Sequence, residues 1–395
     1  MGTGNMVRPR VNETHQQGMT LIELMVGVVV AALVVAAGLA MLTMSDKAMR
    51  TSEQTVDTQQ NVRIAMEYLA RDLRLAGYGP ASGPVGNCPS AVVPADHTVT
   101  GPDRGPDRIS LIVPVGNPVG TATNPPWVFQ ADTAINAGPT GAATVIAMPS
   151  ATSVNDMAIE AGGTLTGPPA ATVSIDGTLT GTVTAVGGTN LTISVVGPQI
   201  EGPMRKNTPV YLLQCITYQV IPPPDPTGLC NGRSPCLVRG VAGGMTAGVL
   251  DCTTAGSRCT SIADEIEDIQ FAYACDGCVA GINSGIPDQV IDNQGGAAGF
   301  DQADFVTNNS WATGLMTPDK IRLAQVTVVG RQRSADQGFG EANGRTNQSV
   351  ALQVSDHLHS DGVYVAGDYA TLTPPYTSTR RRLLTKTVEL RNLRK

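Results

Sequence analysis

An α+β fold is expected: one long N-terminal helix, transmembrane and then amphipathic, packed on a β-rich head with large irregular insertions. Three features of the sequence lead to it. No residue from Leu24 to Met44 is charged. At about 1.5 Å per residue those positions make a helix of roughly 31 Å, the thickness of a bilayer's hydrocarbon core. Farther on, Val62, Met66, Leu69, Leu73 and Ala76 recur at alternating spacings of four and three, the period of a helix with one apolar face. The rest of the 395 residues holds most of the 44 Gly and 27 Pro, many Thr and Val and few aromatics, which suits short strands and turns.

A polar leader, residues 1–18, ends at Gly18, and Glu23 stands alone at the head of the apolar run. A carboxylate at the rim of a membrane helix is costly, so Glu23 is expected to have a task. An ordinary secretory signal is the first rival, but its apolar stretch is only about 7–15 residues and precedes its cleavage site. A plain signal anchor that tolerates Glu23 at the interface is the second. Arg8 and Arg10 ahead of the span favour a cytoplasmic N-terminus and export of the remainder.

Residues 19–44 are therefore the membrane half of the helix and residues 45–76 its amphipathic half. Residues 45–61 are polar, without Pro or Gly. Glu67 and Arg71 stand one turn apart and can pair, and Gly77-Tyr78-Gly79-Pro80 ends the helix. The exported head follows at residues 77–395. Residues 108–113 read as a buried strand and residues 115–140 as irregular loop. Alternating strands are expected at residues 172–175 and 190–195, and the repeated G-T-L-T-G at 163–167 and 177–181 reads as a pair of hairpin strands. The stretch of about 115–205 is taken as an insertion. Strands resume at residues 210–220, 262–273, 320–329 (a central strand) and 380–393.

Eight cysteines, Cys88, Cys215, Cys230, Cys236, Cys252, Cys259, Cys275 and Cys278, all lie beyond the apolar span. An even number on the exported side favours disulfides. Local pairing gives Cys230–Cys236, Cys252–Cys259 and Cys275–Cys278 and leaves Cys88–Cys215, although eight cysteines allow roughly a hundred connectivities. A zinc cluster at the CxxC of Cys275 and Cys278 is the rival, with spacings elsewhere too wide for a zinc ribbon. A redox role for that CxxC lacks a βαβ context.

Little here suggests catalysis. There is no HExxH, GxSxG or P-loop, and no metal or cofactor is expected. Asp356, His357, His359 and Asp361 read as a polar loop or edge strand. Asp288, Asp292, Asp301 and Asp304 fit no EF-hand spacing and read as a solvated loop. Arg380, Arg381 and Arg382 read as a solvated strand edge. A net charge of −7 argues against a nucleic-acid partner.

The run Gly18-Met19-Thr20-Leu21-Ile22-Glu23-Leu24-Met25 resembles the type III signal of type IV pilins and type II secretion pseudopilins. Residues 63–78, R-I-A-M-E-Y-L-A-R-D-L-R-L-A-G-Y, resemble the helix end of PilW-type minor pilins, which leads into a cysteine-bearing loop. Cys88, ten residues past Tyr78, comes later than that pattern has it. Residues 262–273 resemble the V-E-D-L-Q-x-x-Y strand of PilW and of GspJ-like pseudopilins, and residues 380–393 the family's closing strand. The resemblance implies a pilin-like head and a minor pilin without enzymatic activity, at low copy, priming assembly or forming the fibre tip. It further implies cleavage by prepilin peptidase between Gly18 and Met19, methylation of the new amine, and a Glu23 that neutralises that amine on an adjoining subunit. The implied partners are other minor and major pilins, the inner-membrane assembly machinery and, before assembly, membrane lipid. A GspJ-like pseudopilin is the alternative, and a membrane-anchored exported enzyme or adhesin the second.

Overall fold

The computed structural model describes residues 18–79, 84–95, 105–130, 133–136, 143–196, 201–223, 225, 227–230, 232, 234–241, 245–246, 249–253, 258–279, 285–293, 299–307, 314–335, 352–354, 358–359 and 379–393. Residues 1–17 of the leader, Asp356, His357 and Asp361 lie outside them. The chain divides into two compact units, Met1–Glu53 and Gln54–Lys395.

Helix α1, Leu21–Leu75, is continuous over 55 residues, through Gly27 and Gly38. In the first unit its apolar side chains are exposed. In the second, Thr58, Val62, Ala65, Met66, Leu69, Ala70 and Leu73 are buried. Glu67 pairs with Arg63 rather than with Arg71. Arg71 instead reaches Asp72 and lies over the ring of Tyr68.

The head begins with β1 (Val92–Ala95), β2 (Arg108–Val115), β3 (Thr133–Asn136), β4 (Ala143–Ala147), α2 (Ala151–Glu160), β5 (Thr172–Ile175), β6 (Leu179–Gly187), β7 (Asn190–Val195) and β8 (Glu201–Met204). It continues with β9 (Val210–Ile221), β10 (Cys236–Val241), β11 (Met245–Thr246), β12 (Val249–Leu250), β13 (Arg258–Asp264), β14 (Ile266–Cys275), β15 (Ile321–Arg331), β16 (Leu352–Gln353), β17 (Leu358–His359) and β18 (Arg381–Glu389). The larger sheet has nine strands in the order β1-β2-β9-β5-β6-β7-β4, with β10 on β9 and β13 on β10. Strand β9 organises it: β2 runs along one edge, and β5 then β10 take successive stretches of the other. The smaller sheet is β14-β15-β18, antiparallel throughout. The buried stripe of α1 shares one core with Ile109, Leu111, Ile216 and Leu237 of the first sheet and with Phe271, Val326 and Val328 of the second.

Four local expectations change. Residues 115–140 are not all irregular: Trp127 and Phe129 are fully buried, Val128 bridges to Pro209, and β3 pairs with β8. These aromatics anchor a second core with β5, β6, β7 and α2, a helix that begins on the Ser150 side chain capping Ser153 N–H. Since β5 pairs with β9, this region extends the main sheet. The two G-T-L-T-G copies differ, because Leu179 starts β6 whereas residues 163–167 form bends and no strand. Residues 262–273 are two strands, not one. Glu265, with φ 63°, turns the chain from β13 in the larger sheet into β14 in the smaller.

Two glycines mark close approaches. A Cβ on Gly330 of β15 would collide with Val62, so its absence lets α1 lie directly on the strand. Gly77 has φ 74°, and a Cβ there would come 2.7 Å from Leu393. Beside it, the Asn392 amide donates to the carbonyls of Arg74 and Ala76 at 3.0 and 3.3 Å. These are the carbonyls that a helix end leaves without partners, so residues 391–393 at the end of the closing strand cap α1.

All eight cysteines are bonded: Cys88–Cys215, Cys230–Cys236, Cys252–Cys259 and Cys275–Cys278. The first closes a loop of 127 residues. In the chain-entropy model such a closure stabilises by about 5 kcal/mol. The double variant Cys88→Ala/Cys215→Ala should lose the largest share of head stability among the four pairs, as read by thermal unfolding of the detergent-solubilised protein.

Candidate functional site

The head of α1 is built by residues 18–23. Gly18 and Met19 precede the helix in non-helical backbone and are exposed, and among the described residues nothing lies within 4 Å of a Cβ built on Gly18. Thr20 then caps the helix. Its hydroxyl accepts from Glu23 N–H at 3.3 Å, while Glu23 Oε2 accepts from Thr20 N–H at 2.9 Å and from the Thr20 hydroxyl at 3.0 Å. This reciprocal T-x-x-E capping box satisfies helix N–H groups that the first turn leaves open. Glu23 thus has a local partner that the charge argument passed over, and the signal was visible in the spacing of Thr20 and Glu23. After it comes one helix long and apolar enough to cross a membrane, with mean hydropathy 2.7 over 18 residues.

Where α1 meets the head, a carboxylate sits among apolar residues. Asp72 is 2% exposed, on the same face as Ala65, Leu69 and Ala76. Its Oδ2 accepts from the Tyr218 hydroxyl of β9 at 2.6 Å and from Arg239 Nε of β10 at 2.9 Å, and its Oδ1 from Arg71 Nε at 3.1 Å. Burial pushes the Tyr218 hydroxyl pKa far up and the Asp72 charge adds to it. Burial opposes the charge on Arg239, but Asp72 and Tyr218 together hold the guanidinium protonated. The signal lay in the R-D-L-R run, where Asp72 falls on the buried stripe.

A second buried pair closes the smaller sheet. Arg381 Nε and Nη2 donate to Glu267 Oε2 and Oε1 at 2.6 and 3.0 Å, a bidentate contact with both side chains buried. Arg381 is therefore not part of a solvated edge, although Arg380 and Arg382 are exposed. The acidic loop differs too: Asp292 and Asp304 are buried. Asp292 accepts from the N–H groups of Cys278 and Val279, and Asp301 and Asp304 form a capping box on residues 302–304. Asp288 accepts from Val290 N–H. These carboxylates organise loop backbone. Asp292 lies close to Cys275 and Cys278, whose sulfurs are joined to each other.

The model of the type IV pilus-assembly protein W family (PilW) matches residues 231–392, and that of the prokaryotic N-terminal methylation motif matches residues 14–39. Together the two matches support a type IV minor pilin of the PilW type. Neither the curated proteins nor the solved structures give a match. The PilW match takes in Arg239, Glu265, Glu267, Arg381 and Asn392, and so most of the contacts that close the head around α1. As a prepilin, this PilW-type chain is processed by prepilin peptidase, and its family is structural rather than catalytic. The expected site residues fall into two groups: Gly18, Met19 and Glu23 at the start of α1, and the cysteines distributed through the head.

Replacing Asp72 tests how the PilW-type head holds its helix. Asp72→Ala leaves Arg239 largely buried without its carboxylate, at a cost on the order of 3 kcal/mol. Asp72→Asn, which still accepts from Tyr218, should lose less. Denaturant midpoints of the two variants against wild type measure the difference.

Proposed function

We propose that this minor pilin enters the fibre at low copy, at or near its tip, where it primes assembly or presents its head. The prepilin peptidase cuts between Gly18 and Met19, and the new Met19 amine is methylated. The N-terminus faces the cytoplasm and the head is exported. Other minor and major pilins and the inner-membrane assembly machinery are its partners, with lipid around the apolar helix before assembly. The observation that carries this reading is the start of α1: an open Gly18, an exposed Met19 and a lone carboxylate heading an uncharged helix. The size of the head, with its second core and long loops, supports a specialised subunit over a repeating one.

In the assembled bundle of helices, Glu23 neutralises the Met19 amine of an adjoining subunit. Either charge left alone in an apolar bundle is costly, so the pair sets register. The capping box supplies the control. Gln at the third helical position also completes such a box, so Glu23→Gln keeps the cap and removes the charge. Glu23→Ala removes both.

Two measurements check the reading. Mass spectrometry of the mature N-terminus should find methylated Met19; cleavage beyond the apolar run would contradict it. Sheared-fibre fractions should hold both Glu23 variants at roughly a tenth of the wild-type level or less, with normal cleavage. If Glu23→Gln enters fibres like wild type, the carboxylate serves as a helix cap and the pairing is wrong.

A further inference from the structure

We propose that the cleft between residues 54–61 of α1 and the β13–β14 turn receives a basic side chain, arginine or lysine, of a neighbouring pilin. This rests on the reading that the chain is built into a fibre. The cleft holds about 260 Å³ and is lined by Gln54, Asp57 and Asn61 of α1, by Asp264 and Glu265 at the turn, and by Arg333 beyond β15. Three carboxylates therefore stand against two guanidiniums, Arg333 in the lining and Arg331 acting on Glu265, an imbalance that favours a further cation.

Glu265 carries the argument. The residue is 6% exposed, and its Oε2 has no hydrogen-bond partner among the described residues. Its φ of 63° is the left-handed conformation that Gly or Asn occupies at less cost. Strain of this kind gathers at working sites. Burial pushes the Glu265 carboxyl up. The Ser234 hydroxyl, Arg331 and Arg333 pull it down, and Asp264 pushes it up again. A cation in the cleft adds to the positive charge that Arg331 and Arg333 already hold beside this buried carboxylate.

Size and spacing select the cation. Among the described residues, acidic and thiol ligand atoms gather within 4.8 Å only at Cys275, Cys278 and Asp292. The three carboxylates of the cleft thus do not converge on one point as a three-carboxylate metal site would. At about 30 Å³ per liquid water, the cleft takes several waters or the end of one long side chain. One wall of the cleft is the helix stretch that follows the apolar run, the part of the chain nearest in sequence to the bundled stems. A subunit of the same fibre is therefore the source to which the site is committed.

The test uses the full-length chain, expressed with the pilins of its system and carrying a photo-crosslinking residue at Gln60 on the rim. Fibres are sheared and the cross-linked peptides sequenced. The expected product joins Gln60 to another pilin at or beside a Lys or Arg. Asp57→Lys and Asp264→Lys should each lower its yield about tenfold, and Glu substituted for that basic residue in the partner should restore it. Asp57 is exposed, so this variant folds without disturbing the core, and retention of all four disulfides on non-reducing gels verifies that. Cross-links only to residues 336–351 of the same chain, to a partner segment without Lys or Arg, or at an unchanged yield in both variants overturn the proposal. Wild-type chain that enters no fibre refutes the assembly reading, whereas wild-type entry with indifferent charge reversals refutes this inference alone.

Discussion

Asp72, buried on the face of α1 that meets the larger sheet, limits where the helix can seat: only where Tyr218 and Arg239 reach its carboxylate. Apolar burial has little direction. The stripe of Val62, Met66, Leu69 and Leu73 would bury similar area if the helix slid by one turn of about 5.4 Å. The buried acid would not tolerate that slide, since it and Arg239 would both lose their partners. Tyr218 and Arg239 stand on neighbouring strands, directly opposite one another in the β9–β10 register. The contact therefore ties the position of the helix to the register of the sheet, and β9 passes that constraint on to β2 and β5.

The smaller sheet is fastened by different means. Gly330 lets β15 come directly beneath Val62, and the Glu267–Arg381 pair binds β18 to β14 across the sheet. The chain then returns to the end of α1, where Asn392 takes up two open carbonyls and Leu393 packs on Gly77. Helix, both sheets and the C-terminal turn thus enclose one core. The second core, around Trp127, Phe129 and Met157, has few residues in common with these contacts. Its loops can carry surface function while the helix stays seated.

These arrangements bear on what a fibre subunit needs. Its helix must be held firmly by the head while the head presents surfaces to other subunits. Buried and paired charges, Asp72 and Glu267 among them, serve the first need. Charges left incompletely paired, such as Glu265, are available for the second. The same residue type is structural or interactive according to whether its own fold supplies a partner.

The sequence by itself determined the elements whose signal is local and periodic. The apolar run gave α1 its start, the spacing of Val62, Met66, Leu69 and Leu73 its buried face, and alternation the strands β5 and β7 to the residue. Local pairing of cysteines likewise coincides with the bonds in the structure, because short spacings leave few other partners within reach. Tertiary structure decided the rest, through contacts between residues far apart in the chain. Residues 115–140 looked irregular because Trp127 and Phe129 are buried by strands some forty or more residues away, in β5–β7 and β9. Arg381 looked solvated because its partner Glu267 lies 114 residues earlier. The single strand expected over residues 262–273 became two because Glu265 adopts a left-handed conformation, for which a glutamate gives no local signal. Whether a polar residue faces water, a partner or an empty cleft depends on what the fold brings opposite it, and only the folded chain fixes that.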